Sequence, residues 1–281
     1  MSKTKDSKKS SKRKVVLIVA LILVFAFIAD GIICNKLLWV SKYSYDASTG
    51  SSVRIVQLSD LHNATFGKNN SRLKNKVREL SPDIIVITGD YIDSNHTDTE
   101  VAINLSEELT DIAPVYFISG NHEAWMIGYD EFETALAGEG VTVMKNQSIR
   151  LKINDVDINL TGIEDPYFLL NEGSSISREL EKNPADSSAD VNILLSHRPE
   201  YFETYAGSGY DIIFTGHAHG GQIRIPFVGG IVAPDQGLFP EYDAGVYEDA
   251  DMDMIVSRGL GNSVLPLRIN NMAEIVVMDI K

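Results

Sequence analysis

Apolar residues fall along this chain in three patterns. An unbroken run of fifteen, Val15 to Ala29, leads into a mixed stretch reaching Trp39 and Val40. Short runs rich in β-branched residues follow at Val53–Leu58, Ile84–Thr88, Val115–Ile118, Val191–Leu195 and Ile212–Phe214, and they predict strands. The continuous ones suit strands buried on both faces. Helical spacing marks residues 71–80, where Leu73, Val77 and Leu80 share a face, and recurs over 99–112 and around 130–136. Pro82 stops the first of these helices, and Pro114 precedes a strand.

Elsewhere the pattern is weaker. Val141–Met144, Ile149–Ile153 and Val156–Ile163 predict short antiparallel strands joined by turns such as Asn154-Asp155, and Met254–Val256 and Glu274–Ile280 predict closing strands. Residues 41–52, rich in Ser, Tyr and Gly, predict a polar linker. A loop with one short helix is expected over 171–190, and a Gly/Pro/Tyr-rich loop near His219 over 227–247.

Polar residues cluster where the predicted strands end. Three successive strands run into Ser59-Asp60-Leu61-His62, Gly89-Asp90-Tyr91-Ile92-Asp93 and Gly120-Asn121-His122-Glu123, each followed by a helix. Asp60, Asp90 and Asn121 are spaced by 30 and 31 residues, the length of a βαβ unit. Right-handed crossovers put the carboxyl ends of parallel strands on one sheet edge, so these residues should converge. Two later strands end in Ser196-His197-Arg198 and Gly216-His217-Ala218-His219. A lone His-x-His is usually a surface turn. Five of the six histidines, however, lie just beyond a predicted strand, and His96 alone sits in a polar loop.

Asp60, His62, Asp90, Asn121, His197, His217 and His219 thus form a set of oxygen and nitrogen donors without sulfur. Seven are too many for one tetrahedral ion. They suit two ions sharing one carboxylate, with Asp90 best placed to bridge. The site could take Mn, Fe, Zn or Co, because oxygen and imidazole ligands accept each of them.

Composition narrows the setting. The 281 residues suffice for one large domain, and the single cysteine, Cys34, excludes a disulfide framework. Net charge is −14, but Lys3, Lys5, Lys8, Lys9, Lys12, Arg13 and Lys14 against Asp6 make residues 1–14 strongly basic, and residues 43–281 carry −21. So acidic a domain repels a nucleic-acid backbone, and no nucleic acid is expected as partner. The basic tail (1–14) and the apolar segment (15–40) predict an uncleaved single-pass signal anchor, with the tail cytoplasmic and the domain of residues 53–281 outside. Cleavage at Ala29-Asp30-Gly31 is the alternative, but apolar residues resume at Ile32.

The set Asp60-x-His62, Gly89-Asp90-x-x-Asp93, Gly120-Asn121-His122-Glu123, His197 and Gly216-His217-x-His219 resembles the calcineurin-like metallophosphoesterases in order and spacing. The N-terminal segment, Gly162-Ile163-Glu164-Asp165-Pro166 and the Gly-Gly-Gln after His219 look most like a bacterial membrane-associated subgroup. The resemblance implies a four-layer α-β-β-α sandwich with two mixed β-sheets, preceded here by a transmembrane helix. It implies that Asp60, His62 and His219 bind one metal ion and Asn121, His197 and His217 a second, with Asp90 between them. His122 would face the substrate as general acid or charge stabiliser, with Asp93 orienting its ring.

The activity so implied is hydrolysis of a phosphodiester, phosphomonoester or pyrophosphate, by attack of metal-bound hydroxide on phosphorus. The substrate would be a small molecule or a lipid-linked compound at the membrane or envelope, and the chain a monomer. Asn63 and Arg198 are candidate substrate contacts. A catalytically inactive metal-binding or scaffold module of the same fold is the competing reading, and it predicts missing ligands, whereas every motif position is filled. A soluble cytoplasmic protein phosphatase conflicts with the N-terminal segment.

Overall fold

The computed structural model describes residues 3–262 and 266–281, with side chains from residue 14 onward. The side chains of the basic tail up to residue 13 lie outside the described residues.

Two six-stranded mixed sheets face each other. The first runs in the order Leu38–Tyr45, Ala273–Ile280, Val53–Leu58, Ile84–Thr88, Val115–Ile118, Thr142–Val143, and the second Gly245–Asp249, Met252–Val256, Ile212–Thr215, Val191–Leu195, Val156–Gly162, Gln147–Ile153. Neighbours from Val53–Leu58 to Thr142–Val143 are parallel, as are those from Met252–Val256 to Val156–Gly162.

Strand alternation explains the layers. Ile55, Ile84 and Val86 point inward, meeting Leu160, Ile193 and Phe214 of the second sheet. Their neighbours Val56, Ile85 and Ile87 point outward and are covered by Leu73, Val77 and Leu105 from the helices Ser71–Leu80 and Thr99–Thr110. Beyond the second sheet, Leu194, Ile213 and Met254 pack against Leu169, Ile176 and Leu180 of short helices. Each such fully buried aliphatic contributes about 1.5–3 kcal/mol, which is why runs with no polar position form these strands. The architecture is the expected four-layer α-β-β-α sandwich.

Three sequence-based expectations need correction. Residues 41–52 are not all linker, because Leu38–Tyr45 form an eight-residue strand paired in parallel with Ala273–Ile280. Leu38 and Val40 face the helix layer and Tyr43 and Tyr45 the second sheet, and on this half-exposed edge strand the interspersed Ser41, Lys42 and Ser44 leave no apolar–polar alternation to read. The apolar helix accordingly ends at Lys36, and Trp39 belongs to the strand rather than to the anchor. Val141–Met144 contributes a two-residue parallel strand to the first sheet instead of joining an antiparallel set. Of the three expected segments, Gln147–Ile153 and Val156–Gly162 do form an antiparallel hairpin, in the second sheet, turning at Asn154 and Asp155 with φ of 50° and 67°. The loop expected over 227–247 also holds short paired strands, Gly229–Gly230 with Arg224–Ile225 and Val232–Ala233 with Gly237–Leu238.

Lys14–Lys36 is long and apolar enough to cross a membrane. Asp30, the one acid in that apolar stretch, accepts a hydrogen bond from the Asn270 amide at 2.7 Å, and Asn35 accepts one from Asn262 Nδ2 at 2.6 Å. Those polar residues tie the last helical turns to the sandwich.

Candidate metal centre

The strand ends of both sheets deliver the expected residues to one buried place. Ligand atoms of Asp60, His62, Asp90 and His219 lie within 4.8 Å of one another, and those of Asp90, His197 and His217 form a second such group. Asp90 belongs to both. Its Oδ1 accepts the His122 amide at 2.8 Å, which leaves Oδ2 facing His62 Nε2 and His197 Nε2, each at 3.4 Å. Asn121 is buried alongside, with Oδ1 unpartnered.

The backbone is bent to achieve this. Asp60, His62, Asp90, His217 and His219 all have φ between 44° and 64°, a region that non-glycine residues rarely adopt. Such conformations persist where surrounding structure over-determines them, and they concentrate at functional sites. Gly120 permits a close approach: a Cβ there would strike the Asp90 carboxylate and come within 2.9 Å of His197 Cε1.

Six buried nitrogen and oxygen atoms of the centre have no hydrogen-bond partner: Asp60 Oδ2, His62 Nδ1, Asn121 Oδ1, His197 Nε2, His217 Nδ1 and His219 Nδ1. Leaving each unpaired costs about 1–3 kcal/mol. Their convergence fits divalent cations, and three of these groups are tied at their other end. His197 Nδ1 donates to the Thr88 carbonyl at 2.7 Å, His217 Nε2 faces Asp235 Oδ2 at 3.0 Å, and Asp60 Oδ1 accepts the His217 amide at 2.9 Å. Burial pushes His62 down to about 4 against the pull of Asp90, and burial likewise lowers His219. Both imidazoles are thus neutral, the form that coordinates metal. At His197 burial acts downward too, but Asp90 and then Asp60 outweigh it and hold the ring up at about 10. Burial would raise Asp90, yet His197, His62 and His122 together hold its carboxyl below the usual range.

Three expectations for the surrounding residues change. His122 is buried beside His62, their ring centroids 4.5 Å apart, but its Nδ1 accepts from the Ser94 amide at 3.0 Å, whereas Asp93 Oδ1 stands 3.5 Å away and takes the Asn95 amide. Ser94, not Asp93, therefore fixes the neutral ring, and it places the proton on Nε2. Arg198 is buried and engaged by Asp165, Glu200 and Asp235, with its Nε 2.6 Å from Asp165 Oδ2, so its guanidinium is already neutralised and is not the phosphate contact expected. Asn63 turns its Nδ2 to the His96 carbonyl at 2.7 Å.

Glu123, the last residue of the Asn121 motif, has a role the sequence did not show. This fully buried carboxylate accepts four backbone amides, from Gly120, Asp90, Tyr91 and Ile92, at 2.7–3.1 Å. It clamps the Asp90 and Asn121 loops together. Glu123→Ala is expected to lower the unfolding free energy by more than about 3 kcal/mol by orphaning these donors. Urea denaturation measures this, and a loss below about 1 kcal/mol would contradict the clamp.

The sequence profile of the calcineurin-like phosphoesterase family matches residues 53–221, the span that carries every residue of the centre. This chain belongs to that family. It is a metal-dependent phosphoesterase, a hydrolase. Its relatives include the uncharacterized metallophosphoesterase YkuE of Bacillus subtilis (strain 168), 31% identical over 81% of this chain and 79% of that one. Phosphodiesterase YaeI of Escherichia coli (strain K12) is 27% identical over 85% and 86%. A Bos taurus transmembrane protein with metallophosphoesterase domain is 30% identical over 80% of this chain and 52% of its own length. A dimetal phosphatase structure from Danio rerio aligns with 74% of this chain and 88% of its own at 12% identity and TM-score 0.48.

Proposed function

We propose that this phosphoesterase is a membrane-anchored two-metal hydrolase in which Asp60, His62 and His219 hold one ion, Asn121, His197 and His217 the other, and Asp90 bridges. The observation that carries the reading is the equal 3.4 Å approach of Asp90 Oδ2 to one imidazole of each group. Two divalent ions there would supply Lewis-acid activation of water and neutralise phosphate charge. The protein's own part is positional and protic. His122 keeps its N–H at Nε2 because Nδ1 accepts the Ser94 amide, and that N–H would donate a hydrogen bond to charge developing on a phosphoryl or departing oxygen.

The basic tail is cytoplasmic in this reading, Lys14–Lys36 crosses the membrane, and the acidic domain works outside on a phosphodiester, phosphomonoester or pyrophosphate at the envelope. A single chain contains the whole site. The test is hydrolysis of bis-p-nitrophenyl phosphate by full-length protein in detergent, stripped of metal and then given Mn²⁺, Fe²⁺, Zn²⁺ or Co²⁺. Turnover should return with at least one of these ions and vanish with chelator. Turnover indifferent to chelation would overturn the reading.

A further inference from the structure

A cavity of about 490 Å³ opens between the apolar helix and the sandwich. Phe27, Ile28 and Ile32 wall it on the helix side, and Ala64, Leu260 and Leu267 on the other. The helix wall is held in place by the Asp30–Asn270 and Asn35–Asn262 hydrogen bonds. The domain wall rests on the loops of the metal centre: Ala64 stands two residues past His62, the Leu260 amide donates to the Ser59 carbonyl at 2.9 Å, and the Gly261 amide donates to the Asp60 carbonyl at 2.6 Å.

A 23-residue helix rises about 34 Å, enough to span a hydrocarbon core of about 30 Å. Phe27 to Lys36 therefore occupy the half of the membrane nearest the domain and its interface. Apolar space open beside a membrane helix is supplied with hydrocarbon by the bilayer itself. Exposed Lys36 lines the same cavity and offers a cation to an anionic headgroup, where the −21 of residues 43–281 otherwise repels one.

We infer that this groove receives the hydrocarbon tail of a membrane lipid whose phosphoester headgroup reaches the metal centre. The inference rests on the anchored phosphoesterase reading and names its substrate class, a lipid-tailed phosphoester of the leaflet facing the domain. Tail burial along Phe27, Ile28 and Ile32 would hold the headgroup beside the loops that carry Asp60 and His62.

The test compares methyl and dodecyl p-nitrophenyl phosphate on the full chain in nanodiscs with Mn²⁺. Bilayer partitioning favours the dodecyl ester in any variant, so the groove is isolated by comparing Ile32→Trp, which fills it, with Val24→Trp, elsewhere on the helix. The dodecyl-over-methyl preference in kcat/KM should fall about 10-fold in Ile32→Trp relative to Val24→Trp, the loss of burying two or so methylenes. An equal preference in the two variants overturns the groove. A diazirine at the chain terminus gives a readout that needs no turnover. Cross-links to Thr65, Leu260 or Leu267 support the groove even if hydrolysis fails, a result that would sink the phosphoesterase reading alone. Cross-links confined to Val15–Phe25 overturn the groove whatever the turnover.

Discussion

Asp90→Asn is expected to lower phosphodiester turnover at least about 1,000-fold, a loss of about 4 kcal/mol in transition-state stabilisation, and to leave the metal-free protein folded but less stable. The geometry forces both halves of that outcome. The amide oxygen of asparagine would take the place of Oδ1, which accepts the His122 amide. Its NH₂ would then lie where Oδ2 stands, between His62 Nε2 and His197 Nε2, and would present hydrogens where a cation should sit. In the metal-free protein the change removes the carboxylate that pairs with the charged His197 ring, so the melting temperature should fall while the fold persists. Turnover and differential scanning calorimetry together check the prediction. A variant that keeps more than a tenth of wild-type turnover, or that unfolds, would show that Asp90 acts otherwise.

His122→Ala is expected to reduce kcat by about 100- to 10,000-fold while metal content stays at the wild-type level. The ring is in contact with His62 but presents no atom to either ligand group, and Nδ1 is committed to Ser94. Its removal therefore takes away a hydrogen-bond donor to the departing oxygen and leaves the metal-holding atoms in place. The loss should be greater for alkyl leaving groups, which depart badly as anions, than for p-nitrophenolate, which needs no proton. Parallel kcat measurements on the two ester types, with metal analysis of the same samples, test this. Unchanged kcat on both, or loss of metal, would remove His122 from the chemistry.

Much of the centre was legible because each of its residues follows a strand whose apolar run is unmistakable. Ile84–Thr88 and Val115–Ile118 could only be buried strands, and their order with the intervening helices fixed Asp90 and Asn121 on one edge. Leu38–Tyr45 was not legible. Half-exposed, it uses tyrosines and polar residues, and its ladder partner, Ala273–Ile280, lies more than 200 residues away. The supporting residues were hidden for a related reason. Asp235 reaches His217 from a loop of short hairpins, Ser94 acts through its backbone amide, and Glu123 works by accepting amides from two other loops. No periodicity encodes contacts of that kind. Asp30 shows the converse: in the sequence it marked only a possible cleavage site, and in the structure it docks the apolar helix.

The two-metal assignment is tested most directly by counting Mn²⁺ bound to the full-length chain and recording its electron paramagnetic resonance spectrum. Two ions per chain with an exchange-coupled signal, lost in Asp90→Asn, is the result this account predicts. One ion per chain, or two that remain magnetically independent, would contradict a centre bridged by Asp90.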